Sequence, residues 1–149
     1  MLGIQKILFA TDLGNNSLRA LEHAKLFVSR FDSELHAFHV LEDIPTNTPA
    51  FGGGLALNTY VHENPSTVEQ KIHHLFDPTW LLGKHLIVAT SDGEPGNQIV
   101  RYAREKSIDI IILGTHGRTG LAHVLTGSVA EYVARHSKCA VLIVPSRES

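Results

Sequence analysis

A glycine-punctuated loop is the part of this sequence whose residue types and spacing are best suited to binding chemistry. Gly114 and Gly117 follow the apolar run 110–113, and after nine further residues Gly127 precedes a predicted helix over 129–135. Glycine lets the backbone approach an anion closely, and the first N–H groups of a helix have no partner within the helix. The pattern therefore predicts a phosphate site.

The loop matches neither of the two common phosphate motifs. No Gly-Lys-Ser/Thr follows it, and it is not a G-x-G-x-x-G turn after the first strand. Arg118, the helix N-terminus and bound Mg²⁺ would then supply positive charge near the phosphates. His116 lies inside the loop, where a phosphate contact and a solvated side chain are both open. Ser128 and Glu131 match a capping box that would begin the helix.

The elements that would position this loop alternate along the chain. Five near-continuous apolar segments predict strands that are buried on both faces, as in a parallel sheet; they are Lys6–Thr11, Leu35–Val40, His85–Ala89, Asp109–Leu113 and Ala140–Val144. Helical periodicity lies between them, over Ser17–Phe31, Thr67–Phe76, Asn97–Lys106 and Val129–Arg135. We expect an α/β fold with a single open, doubly wound, five-stranded parallel sheet of order 3-2-1-4-5, Rossmann-like, with helices on both faces.

This topology brings a second group of residues to the glycine loop. In open α/β sheets, ligands bind beyond the carboxyl ends of the strands where the strand order reverses. Strands one and four would be neighbours there, so that Ala10, Thr11 and Asp12 face the loop. A carboxylate can accept from ribose hydroxyls, and Val40 at the end of strand two offers an apolar wall for a base. The arrangement is typical of a nucleotide site.

The segment Leu41–Pro65 does not fit the alternation. It contains three prolines and the run Gly52-Gly53-Gly54, and it shows few periodic signals. A loop of about 25 residues is longer than usual, and such loops are commonly functional or disordered. A lid over the site and a disordered excursion both remain open.

Composition limits the classes of partner. The chain has 149 residues, so we expect a single domain over 1–149. Its net charge is −2 with no Lys/Arg run, which disfavours nucleic acid. No apolar run reaches the ~20 residues that span a bilayer, and the N-terminus lacks a signal peptide. With the lone Cys139 this favours a soluble, cytoplasmic protein. Pairs of histidines, 36 with 39 and 73 with 74, are badly placed to share a metal ion.

The last predicted strand, Ala140–Val144, would form an exposed apolar edge of the sheet, which soluble proteins normally protect. Pairing with the same strand of a second copy would bury that edge in a two-fold homodimer. Alternatively, Pro145 and the charged pair Arg147 and Glu148 blunt the edge in a monomer.

Taken in order, these motifs resemble the universal stress protein family, in the spacing of its ATP-binding members. The resemblance covers nearly the whole chain, and its carriers are the stretches 7–12, 93–95, 109–118 and 140–144 together with Gly127-Ser128. It implies a dimeric cytoplasmic protein of the stress response that binds ATP, or another adenine nucleotide, with Mg²⁺ or Mn²⁺. By motif position, Asp12 would contact the ribose. The base would be bordered by Ala10, Val40 and Leu113, and the ribose-phosphate path by Gly114, Gly117, Gly127, Ser128 and Val129, with His116 and Arg118 near phosphate.

Three functions are open as hypotheses. The first is a nucleotide-responsive regulator acting on an unknown protein partner, because no general base or P-loop lysine is evident. The second is a slow ATPase or phosphotransferase with Asp12 or His116 near the phosphates. The third is a dimeric interaction scaffold that binds no nucleotide.

Overall fold

The computed structural model describes residues 3–46, 59–115 and 127–146. In chain order the elements are β1 (Lys6–Ala10), α1 (Leu18–Phe31), β2 (Glu34–Leu41), β3 (Asp43–Thr46), β4 (Thr59–His62), α2 (Pro65–His73), α3 (Pro78–Leu81), β5 (Leu86–Asp92), α4 (Pro95–Glu105), β6 (Ile110–Gly114), α5 (Ser128–His136) and β7 (Ala140–Val144).

Five of the strands form one parallel sheet in the order β5-β2-β1-β6-β7. Because β3 and β4 form a separate hairpin, this is the predicted order 3-2-1-4-5, and the predicted fold class is confirmed. β1 lies in the middle and pairs with β2 on one side and β6 on the other. The strand order therefore reverses between β1 and β6, which places the ends of these two strands side by side.

Alternation along the central strands divides the apolar side chains between two cores. Ile7 and Phe9 of β1 pack with α1 and α2 on one face of the sheet. Leu8 and Ala10 pack with α4 and α5 on the other face. Helices on both faces account for the continuous apolar runs that predicted a buried parallel sheet.

The second predicted helix departs most from its bounds; in addition α4 begins two residues early, at Pro95, and β5 extends three residues further, to Asp92. The pattern predicted one helix over 67–76, whereas α2 covers Pro65–His73 and a separate single turn, α3, begins at Pro78. Proline is tolerated in the first turn because its missing N–H would have no partner in the helix. Asn64 caps α2 by accepting from the N–H groups of Ser66 and Thr67.

The segment 41–65 contains a structure that the sequence patterns did not reveal. β3 and β4 pair antiparallel, from Asp43 opposite His62 to Thr46 opposite Thr59. Residues 47–58 lie outside the described ranges. The lid and the disordered excursion proposed for this segment therefore both stay hypotheses. Along the parts that are described, none of the helices has the length and apolar character needed to span a bilayer.

Candidate functional site

A cavity of about 230 Å³ lies at the carboxyl ends of β1, β2 and β6, against the first turns of α4 and α5. It occupies the point where the strand order reverses, which is where ligands bind in open α/β sheets. Nine of the twelve residues predicted from the sequence line it: Ala10, Thr11, Asp12, Val40, Leu113, Gly114, Gly127, Ser128 and Val129. The other three, His116, Gly117 and Arg118, lie outside the described residues.

The two ends of the glycine motif meet beside this cavity. The Thr115 carbonyl accepts a hydrogen bond from the Gly127 N–H, although eleven residues separate them. Thr115 itself is held by its own N–H, which donates to the carbonyl of Val144 at 3.2 Å. A Cβ at Gly114 would lie 3.3 Å from the backbone oxygen of Asn16, so the strand passes close to the loop after β1. Gly114 and Gly127 are thereby brought to one wall.

The N-terminus of α5 lies at the cavity. Gly127 is the N-cap residue and Ser128 the first helical residue, so the predicted capping box of Ser128 and Glu131 is wrong. Among the described residues no side chain caps this helix. By contrast, Asn64, Asp77 and Glu94 cap α2, α3 and α4 through their side chains. The first N–H groups of α5 border the cavity, where an anion would satisfy them.

Asp12 also lines the cavity, in a turn that hydrogen bonds hold tightly. Its Oδ1 accepts from the Gly14 N–H at 2.8 Å. The Thr11 hydroxyl accepts from the Leu13 N–H at 2.9 Å and is hydrogen-bonded to the Ser17 hydroxyl at 2.8 Å. Leu13 has a φ of 66°, a left-handed conformation that these contacts maintain. A carboxylate beside the cavity is a group that can accept from ligand hydroxyls.

The cavity has further lining residues that sequence reasoning missed: Ser17, Phe38, His39, Glu42, Pro95, Ile99, Thr115 and Ala130. Strand alternation could have identified Phe38, because it shares a face with Val40. Ile99 lies on α4 and belongs to the core on this face of the sheet. Gly93 has a φ of 128°, and this turn directs Glu94 and Pro95 into the start of α4 beside the cavity.

A buried histidine–carboxylate pair lies next to the turn formed by residues 11–14, the Asp12 turn. His39 Nε2 is 2.7 Å from Glu63 Oε2, and their side chains are only 1% and 4% exposed. His39 Nδ1 is 2.8 Å from the Thr11 carbonyl oxygen. Glu63 Oε2 also accepts from the Glu42 N–H at 2.9 Å. No local pattern in the sequence links residues 39 and 63.

Two further histidines illustrate opposite environments. His36 Nδ1 is 2.7 Å from the Tyr102 hydroxyl and its Nε2 is 2.7 Å from Glu34; burial lowers the pKa of His36, which Glu34 only partly offsets. The exposed His62 lies between Asp43 at 2.7 Å and Asp92 at 2.5 Å, and hydrogen bonds to these carboxylates raise its pKa.

Within the described ranges, no cluster of three or more His, Cys, Asp or Glu residues is arranged to hold a metal ion.

The fold and the cavity define an α/β protein with a ligand pocket at the switch point of a doubly wound sheet. The family model of the universal stress protein family matches residues 3–145, and the chain belongs to that family. It is 34% identical over 147 residues to the universal stress protein MJ0531 of Methanocaldococcus jannaschii, an alignment that covers 97% of this chain and 85% of that protein.

Solved structures agree with the assignment of the fold. The structure of MJ0577, a universal stress protein of the same organism, superposes with a TM-score of 0.73 at 26% identity, covering 99% of this chain and 100% of that one. A universal stress protein in complex with cAMP superposes with a TM-score of 0.67 at 21% identity, covering 98% of this chain and 100% of that one.

Proposed function

We propose that this protein is an adenine-nucleotide-binding regulator of the stress response. The observation that carries the proposal is the N-terminus of α5, which no described side chain caps and which lines the same cavity as Gly114 and Asp12. The N–H groups of a helix start suit a phosphate, and a carboxylate beside the cavity suits ribose hydroxyls. The family and its cAMP-bound structural relative support an adenine base.

In the proposed complex each wall has one role. Asp12 accepts from the ribose, and the apolar side chains of Ala10, Val40 and Leu113 border the base. The backbone from Gly127 to Val129, with Gly114 behind it, holds the phosphates. ATP is the proposed ligand. We place Mg²⁺ or Mn²⁺ on its phosphates, because the described residues contain no cluster that would hold the metal alone. His116, Gly117 and Arg118 are proposed as further phosphate contacts on sequence grounds.

The proposed regulator is a cytoplasmic homodimer joined through β7. This strand ends the sheet, and within the described part of the chain it pairs with β6 alone. Its side chains from Val141 to Ile143 are only half-buried, so pairing with a second copy would cover apolar surface and an open row of backbone groups. Ala140 is exposed. We expect Ala140→Lys to place charge on this edge and to shift sedimentation from dimer to monomer.

Calorimetric titration of nucleotide-stripped protein with ATP, AMP and cAMP, with and without Mg²⁺, tests the proposal. The Gly127→Val variant should lose binding and keep its fold, because Gly127 has a φ of −63° and a ψ of 154°, which valine adopts readily. Gly3→Val is the matched control, since a side chain at Gly3 would meet nothing within 4 Å.

Each outcome has a definite meaning. Binding that Gly127→Val abolishes and Gly3→Val preserves supports the site. Unchanged ATP affinity in a folded Gly127→Val protein would remove the site assignment. An assay for ADP in the same mixture separates a regulator, which leaves ATP intact, from an ATPase, which releases ADP steadily. No binding by the wild type would leave an interaction scaffold.

A further inference from the structure

Glu63 is placed to act on the Asp12 turn although it does not line the cavity. It directly follows β4 at the base of the hairpin, where its N–H donates to the Glu42 carbonyl at 3.0 Å. Its carboxylate turns inward and meets His39, which meets the carbonyl of Thr11. A continuous chain of three residues therefore joins the hairpin to the residue before Asp12.

The hydrogen-bond pattern fixes the direction of the bond between His39 and Thr11. The Thr11 carbonyl is only an acceptor, so His39 Nδ1 must donate to it. Glu63 Oε2 already accepts from the Glu42 N–H and also faces His39 Nε2. One proton between His39 Nε2 and Glu63 Oε2, which are 2.7 Å apart, completes the chain, and both side chains are almost fully buried.

Fixing the Thr11 carbonyl also fixes the start of the Asp12 turn. The peptide unit between Thr11 and Asp12 is planar, so an oxygen held by His39 sets the direction in which the chain enters Asp12. The Thr11 N–H is already tied to Phe38 in the sheet at 3.0 Å. Both ends of residue 11 are then constrained, one by the sheet and one by the buried pair.

We infer that His39 and Glu63 form a positioning pair that aligns Asp12 for the ribose, so that nucleotide affinity depends on a hairpin residue outside the cavity. This inference rests on the proposed function for its affinity readout. Glu63 is a positioning residue, because it acts through His39 and the backbone of residues 11 and 12, whereas His39 also lines the cavity.

The same strand provides a matched control. His36 on β2 is also buried and also hydrogen-bonded to a carboxylate, that of Glu34, but it lies at the opposite end of the sheet from the cavity. Glu63→Gln and Glu34→Gln therefore each remove the charge from a histidine–carboxylate link, one beside the Asp12 turn and one far from it. His39→Gln and His36→Gln form a second pair that interrupts the same links from the sheet side.

Glutamine at position 63 cannot replace the carboxylate without loss. Glu63 Oε2 accepts from the Glu42 N–H and also contacts His39 Nε2. The oxygen of a glutamine brings no proton to a neutral Nε2, and its nitrogen cannot accept from Glu42, so one bond is left unmade. We expect Glu63→Gln to weaken ATP binding roughly 10-fold, about the effect of one net hydrogen bond. Glu34→Gln should lower the melting temperature without changing the dissociation constant. In ligand-free protein, Glu63→Gln should also move the amide NMR resonances of Leu13 and Gly14.

The outcomes separate this inference from the proposed function. Equal melting losses in both glutamate variants, with affinity and the Leu13 and Gly14 resonances unchanged, would show that the pair is only structural. A wild type that binds no adenine nucleotide refutes the proposed function, and the ligand-free resonances then decide by themselves whether the pair positions the turn. If Glu63→Gln does not fold, the Leu13 and Gly14 resonances of ligand-free His39→Gln, compared with those of His36→Gln, decide the inference, because His39 also lines the cavity and its affinity readout is not specific.

Discussion

Substituting Gly127 by aspartate should stabilise the ligand-free protein and weaken nucleotide binding at the same time. The three helices that carry side-chain caps have N-cap φ and ψ values near −65° to −84° and 124° to 130°, and Gly127 has similar values of −63° and 154°. An aspartate there can adopt the same conformation. Its carboxylate would accept from the N–H groups of Val129 or Ala130, which are the groups proposed to hold phosphate.

The two effects differ in size as well as in sign. Aspartate in place of glycine at an N-cap gains a few tenths of a kcal/mol, and a negative charge at a helix start adds about 0.3–1 kcal/mol. For a chain of this length the sum corresponds to a rise of roughly 1–4 °C in melting temperature. Losing two charge-assisted hydrogen bonds to phosphate costs about 3 kcal/mol or more, which is on the order of a 100-fold loss of affinity.

Calorimetry measures the melting temperature and the ATP affinity on the same nucleotide-stripped sample. Gly127→Asn is the matched variant, because it caps the helix without adding charge and should give an intermediate affinity. Gly127→Ala provides neither cap nor charge and should lower the melting temperature. A Gly127→Asp protein with a raised melting temperature and undiminished ATP affinity would show that the phosphates do not lie at this helix end.

Three further predictions concern single side chains. Asp12→Asn should keep the hydrogen bond from Gly14 but weaken nucleotide binding about 10-fold, because a neutral amide accepts less strongly from ribose; calorimetry measures it, and unchanged affinity would exclude the ribose contact. NMR titration should give His36 a pKa below and His62 a pKa above the ordinary value of about 6.5. The free energy of unfolding that His36 contributes is then lost as the pH falls below ~6.5, because the unfolded chain binds the proton more readily. The contribution of His62 is lost as the pH rises above ~6.5, because the folded protein binds the proton more readily. His36→Gln and His62→Gln should therefore change the pH dependence of unfolding in opposite directions. Ile112→Ala, on the sheet face away from the cavity, should cost about 2–5 kcal/mol in urea unfolding and leave the affinity of the folded protein unchanged.

The strands of the main sheet were predictable where they are local apolar runs, whereas β5 continues through the polar residues Thr90, Ser91 and Asp92, which the pattern did not predict. β1 and β6 lie within a residue of their predicted bounds, and β7 matches over Ala140–Val144. The sheet order was predictable too, since right-handed crossovers leave few ways to arrange alternating strands and helices. The hairpin was missed because its strands are held by cross-strand pairs such as Asp43 with His62, which no local pattern shows. Pro45 also made β3 resemble a turn.

Within the site, too, features with a local sequence pattern were predicted and features without one were missed. The glycine spacing pointed to the start of α5, but the capping-box pattern of Ser128 and Glu131 pointed to the wrong first residue. The helix instead begins one residue earlier, with Gly127 as the cap. That shift could not be read locally, because either residue satisfies the preferences of an N-cap.

The amino-acid sequence by itself determined the alternation of strands and helices, the sheet order and the nine predicted residues that surround the cavity. These depend on short-range periodicity and on the rule that parallel strands end at one edge. Only the tertiary structure decided that the Thr115 carbonyl meets Gly127, that α5 has no side-chain cap among the described residues, and that His39 and Glu63 pair beneath the Asp12 turn. Such contacts join residues far apart in the chain, and their energies arise from burial and geometry that exist only once the sheet has formed.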